Sequence, residues 1–293
     1  MRLPAPFPWF GGKSLIASAV WERLGDVSNY VEPFFGSGAV LFARPDPGGI
    51  RTETVNDKDG WLSNFWRALQ ADPDAVARYA DWPVNEIDLV ARREWLFAQT
   101  GHIARMEADP DYYDAKLAGV WVWGVCSTIG NAWKDKSTHL GMGMGAGAHL
   151  GDAGRGIHRA GAHLGDAGRG TRLECLTEYF RALSARLERV RVMCGDWSRV
   201  TSPSVTTHNG LTGMFLDPPY SSAADCQTDA YLHNGDVAHD VRSYCLERGS
   251  DPMMRIALCG YEGEGHEELT RHGWSVLPWK ARGGYGNQSG NEN

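Results

Sequence analysis

Two periods alternate along this chain. "NYVEPFFGSGAVLF" (29–42) opens with a short apolar run, breaks at a glycine turn and resumes as the start of a helix. "TETVND" (52–57) reads as a second strand ending in acid, and "GWLSNFWRALQ" (60–70) as the helix that follows. Strand-like and helix-like patterns in that order predict a β-α-β-α unit. Ahead of it, "SLIASAVWERL" (14–24) has helical spacing, with a serine placed to cap it. From 71 the texture changes. Residues 72–128 are mostly helical in pattern, carry Trp82, Trp95, Trp121 and Trp123, and include "YYDAKLAGVWVWGVCSTIGN" (112–131), apolar enough for a buried helix.

The second half returns to alternation. "RLECLTEYFRALSARLERV" (172–190) sets Leu173, Leu176, Phe180, Leu183 and Leu187 along one helical face. Strand-like "VRVMC" (190–194) and "GMFL" (213–216) follow, then a helix over 236–248, strand "RIALC" (255–259), a short helix near 264–272, and "WSVLPW" (274–279). The whole predicts an α/β fold: a parallel sheet split by an inserted, mostly helical and loop segment, with 1–70 and 173–293 forming one domain and 71–172 the insertion. Within the insertion, "AGAHLGDAGRGIHR" (146–159) is followed at once by "AGAHLGDAGRGTRL" (160–173). Two copies are too few for a solenoid. Glycine at that density disfavours a helix or packed core, so 139–172 is expected to be a long basic loop.

Composition narrows the class. At 293 residues, 42% of them hydrophobic, the chain can bury a sizeable core. It has no apolar run of transmembrane length and no signal-peptide pattern at its start, so no membrane is expected. The cysteines at 126, 175, 194, 226, 245 and 259 include no CxxC pair, which favours reduced thiols and a cytoplasmic setting. The histidines show no HExxH spacing, and no metal is expected. The net charge of −7 argues against nucleic acid when taken alone. Its distribution argues the other way. Between 134 and 172, Lys134, Lys136, Arg155, Arg159, Arg169 and Arg172 outnumber Asp135, Asp152 and Asp166, and those six are candidate phosphate contacts.

Three short stretches carry chemistry. Gly36 and Gly38 stand between a strand and a helix, where glycine permits a tight turn and close approach of a ligand. The position for a third fingerprint glycine holds Leu41, so the dinucleotide pattern is incomplete. Asp57 lies about 20 residues on, at the distance from which a carboxylate accepts ribose hydroxyls. "WFGGKS" (9–14) lacks the earlier glycine of a P-loop, because that position is Phe7. It leaves a glycine-lysine clamp for a carboxylate or phosphate. "LDPPYS" (216–221) ends an apolar strand in two prolines that fix the backbone. Asp217 and the Pro218 carbonyl are then two acceptors at a set separation, beside the flat face of Tyr220. That set suits an exocyclic amino group on a planar base.

Together, "PFPWFGGK", "VEPFFGSGAV", "NDKD" and "LDPPYS", in that order, resemble the DNA amino-methyltransferases that use S-adenosylmethionine. Within them the chain is similar to the alpha-group adenine-N6 enzymes, the D12 class that includes the Dam-like methylases. The resemblance implies a Rossmann-like methyltransferase sheet with an inserted target-recognition segment. It implies S-adenosylmethionine as cofactor, held by Trp9, Lys13, Glu32, Pro33, Phe35, Gly36, Gly38, Asp57, Asp196 and Asp217. It implies that Asp217, Pro218, Pro219 and Tyr220 grip a flipped adenine, and that "WKARGGYGNQ" (279–288) helps hold it. The partner implied is double-stranded DNA, bound by a monomer or weak dimer. The usual sheet has a further apolar strand, which the polar "GNQSGNEN" end does not supply; the chain is cut short or the sheet is short. Cytosine-N4 methylation, an RNA substrate, and a catalytically idle DNA-binding protein stay open as alternatives.

Overall fold

The computed structural model describes residues 3–7, 9, 13–45, 49, 51–82, 84–109, 111–128, 133, 173–219 and 237–279. Five strands form one sheet: β1 (Asn29–Glu32), β2 (Thr52–Asp57), β3 (Val190–Cys194), β4 (Thr212–Leu216) and β5 (Met254–Leu258), in the order β3-β2-β1-β4-β5. Every pairing is parallel, with Val31 opposite both Thr54 and Met214. The order runs outward one way from β1 and the other way from β4. Between those two strands lies the switch point, where an open α/β sheet leaves a crevice at its carboxyl edge. The mixed α/β architecture is consistent with the Rossmann-like methyltransferase fold.

Strand periodicity sorts the core into two layers. Val31, Met214 and Leu216 pack on one face with Val241 and Cys245 of helix α9 (Val237–Arg248). Tyr30, Val55 and Phe215 pack on the other with α1 (Ala17–Leu24), the short α2 (Ala39–Phe42) and α3 (Gly60–Ala71). That second core continues into α4 (Pro73–Ala80), α7 (Ala115–Ser127) and α8 (Leu173–Leu187). Helices α5 (Glu86–Ala98) and α6 (His102–Ala108) complete the described part of 71–128. None of the described helices is long and apolar enough to cross a membrane.

Helix α7 is buried along nearly its whole length from Leu117 onward, as its apolar run predicts. Its start is fixed twice. The Asp114 carboxylate accepts from Leu117 N–H at 2.8 Å, and the Asn64 amide exchanges hydrogen bonds with the Asp114 backbone at 2.9 and 3.0 Å. Gly119 permits the close approach of α4: a Cβ there would lie 2.7 Å from the Val76 carbonyl oxygen.

Two sequence expectations need correction. Ser14 does not cap α1. Lys13–Leu15 form a 3-10 turn, Ile16 N–H donates to the Lys13 carbonyl at 3.1 Å, and α1 starts at Ala17 without a side-chain cap. Residues 274–279 make no strand. Val276 is 73% exposed and Leu277 41%, so this apolar run has no buried face to pin it to the sheet. The repeat loop 139–172 lies outside the described residues.

Candidate active site

The carboxyl ends of the strands converge on one edge. β1 ends at Glu32, β2 at Asp57, β3 runs into Gly195 and Asp196, and β4 into Asp217. The edge is stitched by backbone and amide contacts. Phe35 N–H donates to the Asn56 carbonyl at 2.9 Å, and Gly195 N–H to the Asp57 carbonyl at 3.0 Å. The buried Asn56 amide donates to the carbonyls of Pro33 and Gly195, each at 3.0 Å. One side chain thus ties the turns after β1 and β3 together.

The glycine turn is shaped from both sides. Gly36 and Gly38 have φ of 49° and 70°, which favour glycine. Gly36 N–H donates to Asp57 Oδ2 at 2.9 Å, and Asp59 N–H to Asp57 Oδ1 at 3.0 Å. The carboxylate at the end of β2 is therefore oriented before any ligand arrives. A Cβ on Gly36 would lie 2.6 Å from Trp9 Cδ1, so the Trp9 ring is seated on the turn. The Phe35 ring instead packs inward on Trp66, with centroids 5.0 Å apart. What Phe35 offers the edge is backbone.

Lys13 pairs with the acid that follows β4. Its Nζ lies 2.6 Å from Asp217 Oδ2, with the side chains only 6% and 16% exposed. An ion pair this sheltered is charge-assisted and directional. Pro218 is buried behind it, and Cys259 N–H donates to the Leu216 carbonyl at 2.8 Å, which anchors the start of the DPP corner against β5. Trp279, first residue of the late "WKARGGYGNQ" stretch, sets its ring 5.6 Å from Lys13 Nζ.

Glu32 sits deeper, 2% exposed. Burial pushes its carboxyl well above the usual range; the Tyr30 hydroxyl, donating to Oε2 at 2.8 Å, opposes the shift, and the charges of Asp217 and Asp57 add to it. Asp196 is at the surface. It caps the 3-10 turn Trp197–Val200, accepting from Ser198 N–H at 3.0 Å and Ser198 Oγ at 2.6 Å, and these bonds lower its pKa.

Trp9, Lys13, Glu32, Pro33, Gly36, Gly38, Asp57, Asp217 and Pro218 thus gather around one stretch of edge, with Pro219 following the corner and Asp196 at its rim. Tyr220, Lys134, Lys136, Arg155, Arg159, Arg169 and Arg172 lie outside the described residues. Sequence reasoning missed Tyr30 and Asn56, and reached Trp279 only as the first residue of the late stretch 279–288. Asn56 carried a signal, as a polar residue inside a strand just before the acid. Tyr30 carried a weaker one, two positions before Glu32 and hence on the same face of β1. Among the described residues no cluster of His, Cys, Asp and Glu is arranged to hold a metal ion.

Residues 9–98 match the family model for D12 class N6 adenine-specific DNA methyltransferase. The match takes in Trp9, Lys13, the glycine turn and Asp57; the DPP corner lies beyond it. No curated protein matches this chain. The match supports a DNA adenine methyltransferase.

Proposed function

We propose that this chain methylates the N6 amino group of adenine in double-stranded DNA, with S-adenosylmethionine as donor and the β1/β4 switch point as active site. One observation carries the reading. The Lys13–Asp217 ion pair joins the matched N-terminal region to the DPP corner, so both halves of the inferred machinery meet at 2.6 Å.

The donor set suits the cofactor. S-adenosylmethionine carries a sulfonium, an ammonium, a carboxylate and two ribose hydroxyls. Facing it are three carboxylates (Glu32, Asp57, Asp217), one lysine, the backbone of the glycine turn and the Trp9 ring. Asp57 has both oxygens held by backbone N–H groups, and a carboxylate accepts about four hydrogen bonds. It is thus oriented to receive ribose hydroxyls. Asp196, at the end of β3, is assigned to the adenine end of the cofactor. Bound there, the cofactor supplies an electrophilic methyl group that needs no metal.

The chain's own residues do the rest. Asp217 and the Pro218 carbonyl accept the two N6 hydrogens of the target adenine and turn its lone pair toward the methyl carbon. The prolines hold both acceptors rigid, so little reorganisation accompanies the reaction. As the methyl–nitrogen bond would form and the methyl–sulfur bond break, leaving a thioether, the nitrogen gains positive charge that the Asp217 carboxylate stabilises, and the surplus N6 proton passes to water. N6 is out of reach inside a duplex, so the base rotates out and stacks, in this reading on Tyr220. The unstacking costs a few kcal/mol, offset by phosphate contacts from the basic stretch 134–172.

The test is transfer of a labelled methyl group to unmethylated DNA. Wild-type protein is expected to label DNA, and Asp217→Ala to lose about 100-fold or more in turnover while still binding DNA. Equal turnover in the variant would remove Asp217 from its role.

A further inference from the structure

The carboxylates at the sheet edge differ in what compensates their charge. Asp196 lies exposed at its rim with Lys58 near it; deeper in, the carboxylates of Asp217, Asp57 and Glu32 are each treated differently. Asp217 has Lys13 at 2.6 Å. Asp57 has two backbone N–H donors. Glu32, 2% exposed, has a phenol and one backbone N–H from Leu41, and no cation within ion-pair distance among the described residues. Arg44, over the Tyr30 ring at 5.9 Å, is engaged by Glu53 at 2.7 Å and by the Val27 carbonyl. A carboxylate ionised in such a place lacks compensation, and such groups take a proton instead.

We propose that Glu32 is a neutral carboxylic acid in the empty site and releases its proton to solvent when the cationic cofactor docks, with Tyr30 as the positioning residue that aims and tunes it. The inference rests on S-adenosylmethionine binding at this edge. Glu32 lies close enough to Asp217 and Asp57 for their charges to register on it, and Cys259, Lys13 and Asp217 share the same surroundings. The cofactor's sulfonium and ammonium bring the positive charge that this cluster lacks. Ionised Glu32 then faces a cation, and the O–H bond that broke leaves its proton with the buffer. Tyr30 cannot turn away: it is fully buried, with its ring 4.8 Å from that of Trp21, and its hydroxyl donates to Glu32 Oε2. A donor at that oxygen favours the ionised form.

Calorimetric titration of the full chain with S-adenosylmethionine, in buffers of differing ionisation enthalpy, counts the protons exchanged. Wild type is expected to release close to one proton more than Glu32→Gln. Its affinity should rise about tenfold per pH unit relative to that variant, until Glu32 is ionised in the empty site. Tyr30→Phe keeps the ring in the core and loses the hydroxyl. Its release curve is expected to move to higher pH, with weaker binding at neutral pH. Binding with the same proton count in wild type and Glu32→Gln would overturn the inference alone. An unmoved curve in a folded Tyr30→Phe would overturn the role of Tyr30. No binding by wild type would overturn the functional reading and this inference together.

Discussion

Glu32 makes a thermal prediction independent of turnover. Its pKa is raised in the fold, so the folded chain holds a proton that the unfolded chain loses above about pH 4.5. The favourable contribution is complete below that pH and is lost as pH rises through the folded titration. Glu32→Gln removes the penalty. The variant is expected to match wild type near pH 4 and to melt higher at pH 8, by scanning fluorimetry. A melting difference independent of pH would contradict the assignment. At this scale the sequence was legible where a residue's chemistry is local. The prolines at 218 and 219 announce a rigid stop wherever they occur, and Gly36 and Gly38 announce a turn. Tyr30 was legible only as a residue on the same face of β1 as Glu32. All four residues of "NYVE" are buried, and only the assembled edge shows that the phenol and the acid are sealed in together.

At the scale of elements, the helices that cover the sheet set its stability. Asp114→Ala removes the N-cap of α7 and is expected to cost about 1 kcal/mol. Gly119→Leu drives a side chain into the Val76 carbonyl and the Tyr79 backbone. Overpacking there is expected to cost about 1–3 kcal/mol, or to force α4 away from α7. Urea melts monitored by tryptophan fluorescence measure both; unchanged midpoints would mean that α7 does not pack as described. Element positions were largely readable, because buried faces impose their period on the sequence. The exceptions share a cause. The turn at Lys13–Leu15 is tightened where Lys13 reaches Asp217, a contact no local pattern encodes. "WSVLPW" has strand-like composition, yet a strand forms only where a neighbour takes its hydrogen bonds and one face is covered.

Across the whole molecule, charge is divided against itself. The chain is acidic at −7, while 134–172 carries six Lys and Arg against three Asp. If those six residues touch phosphates, neutralising them should flatten the salt dependence of DNA affinity, by about 0.9 in log–log slope for each phosphate no longer neutralised. Filter binding across a salt series reads this; an unchanged slope would place DNA elsewhere on the surface. The described helices α4 and α7 share a core with α3 and α8, so the support beneath the candidate site is continuous with the sheet. The most direct measurement is the chemical identity of the product. Unmethylated plasmid is incubated with S-adenosylmethionine and the protein, digested to nucleosides and analysed by mass spectrometry. N6-methyldeoxyadenosine with wild type, and a loss of about 100-fold or more with Asp217→Ala, is the predicted result. N4-methyldeoxycytidine, no methylated nucleoside, or an equal yield from the variant would contradict it.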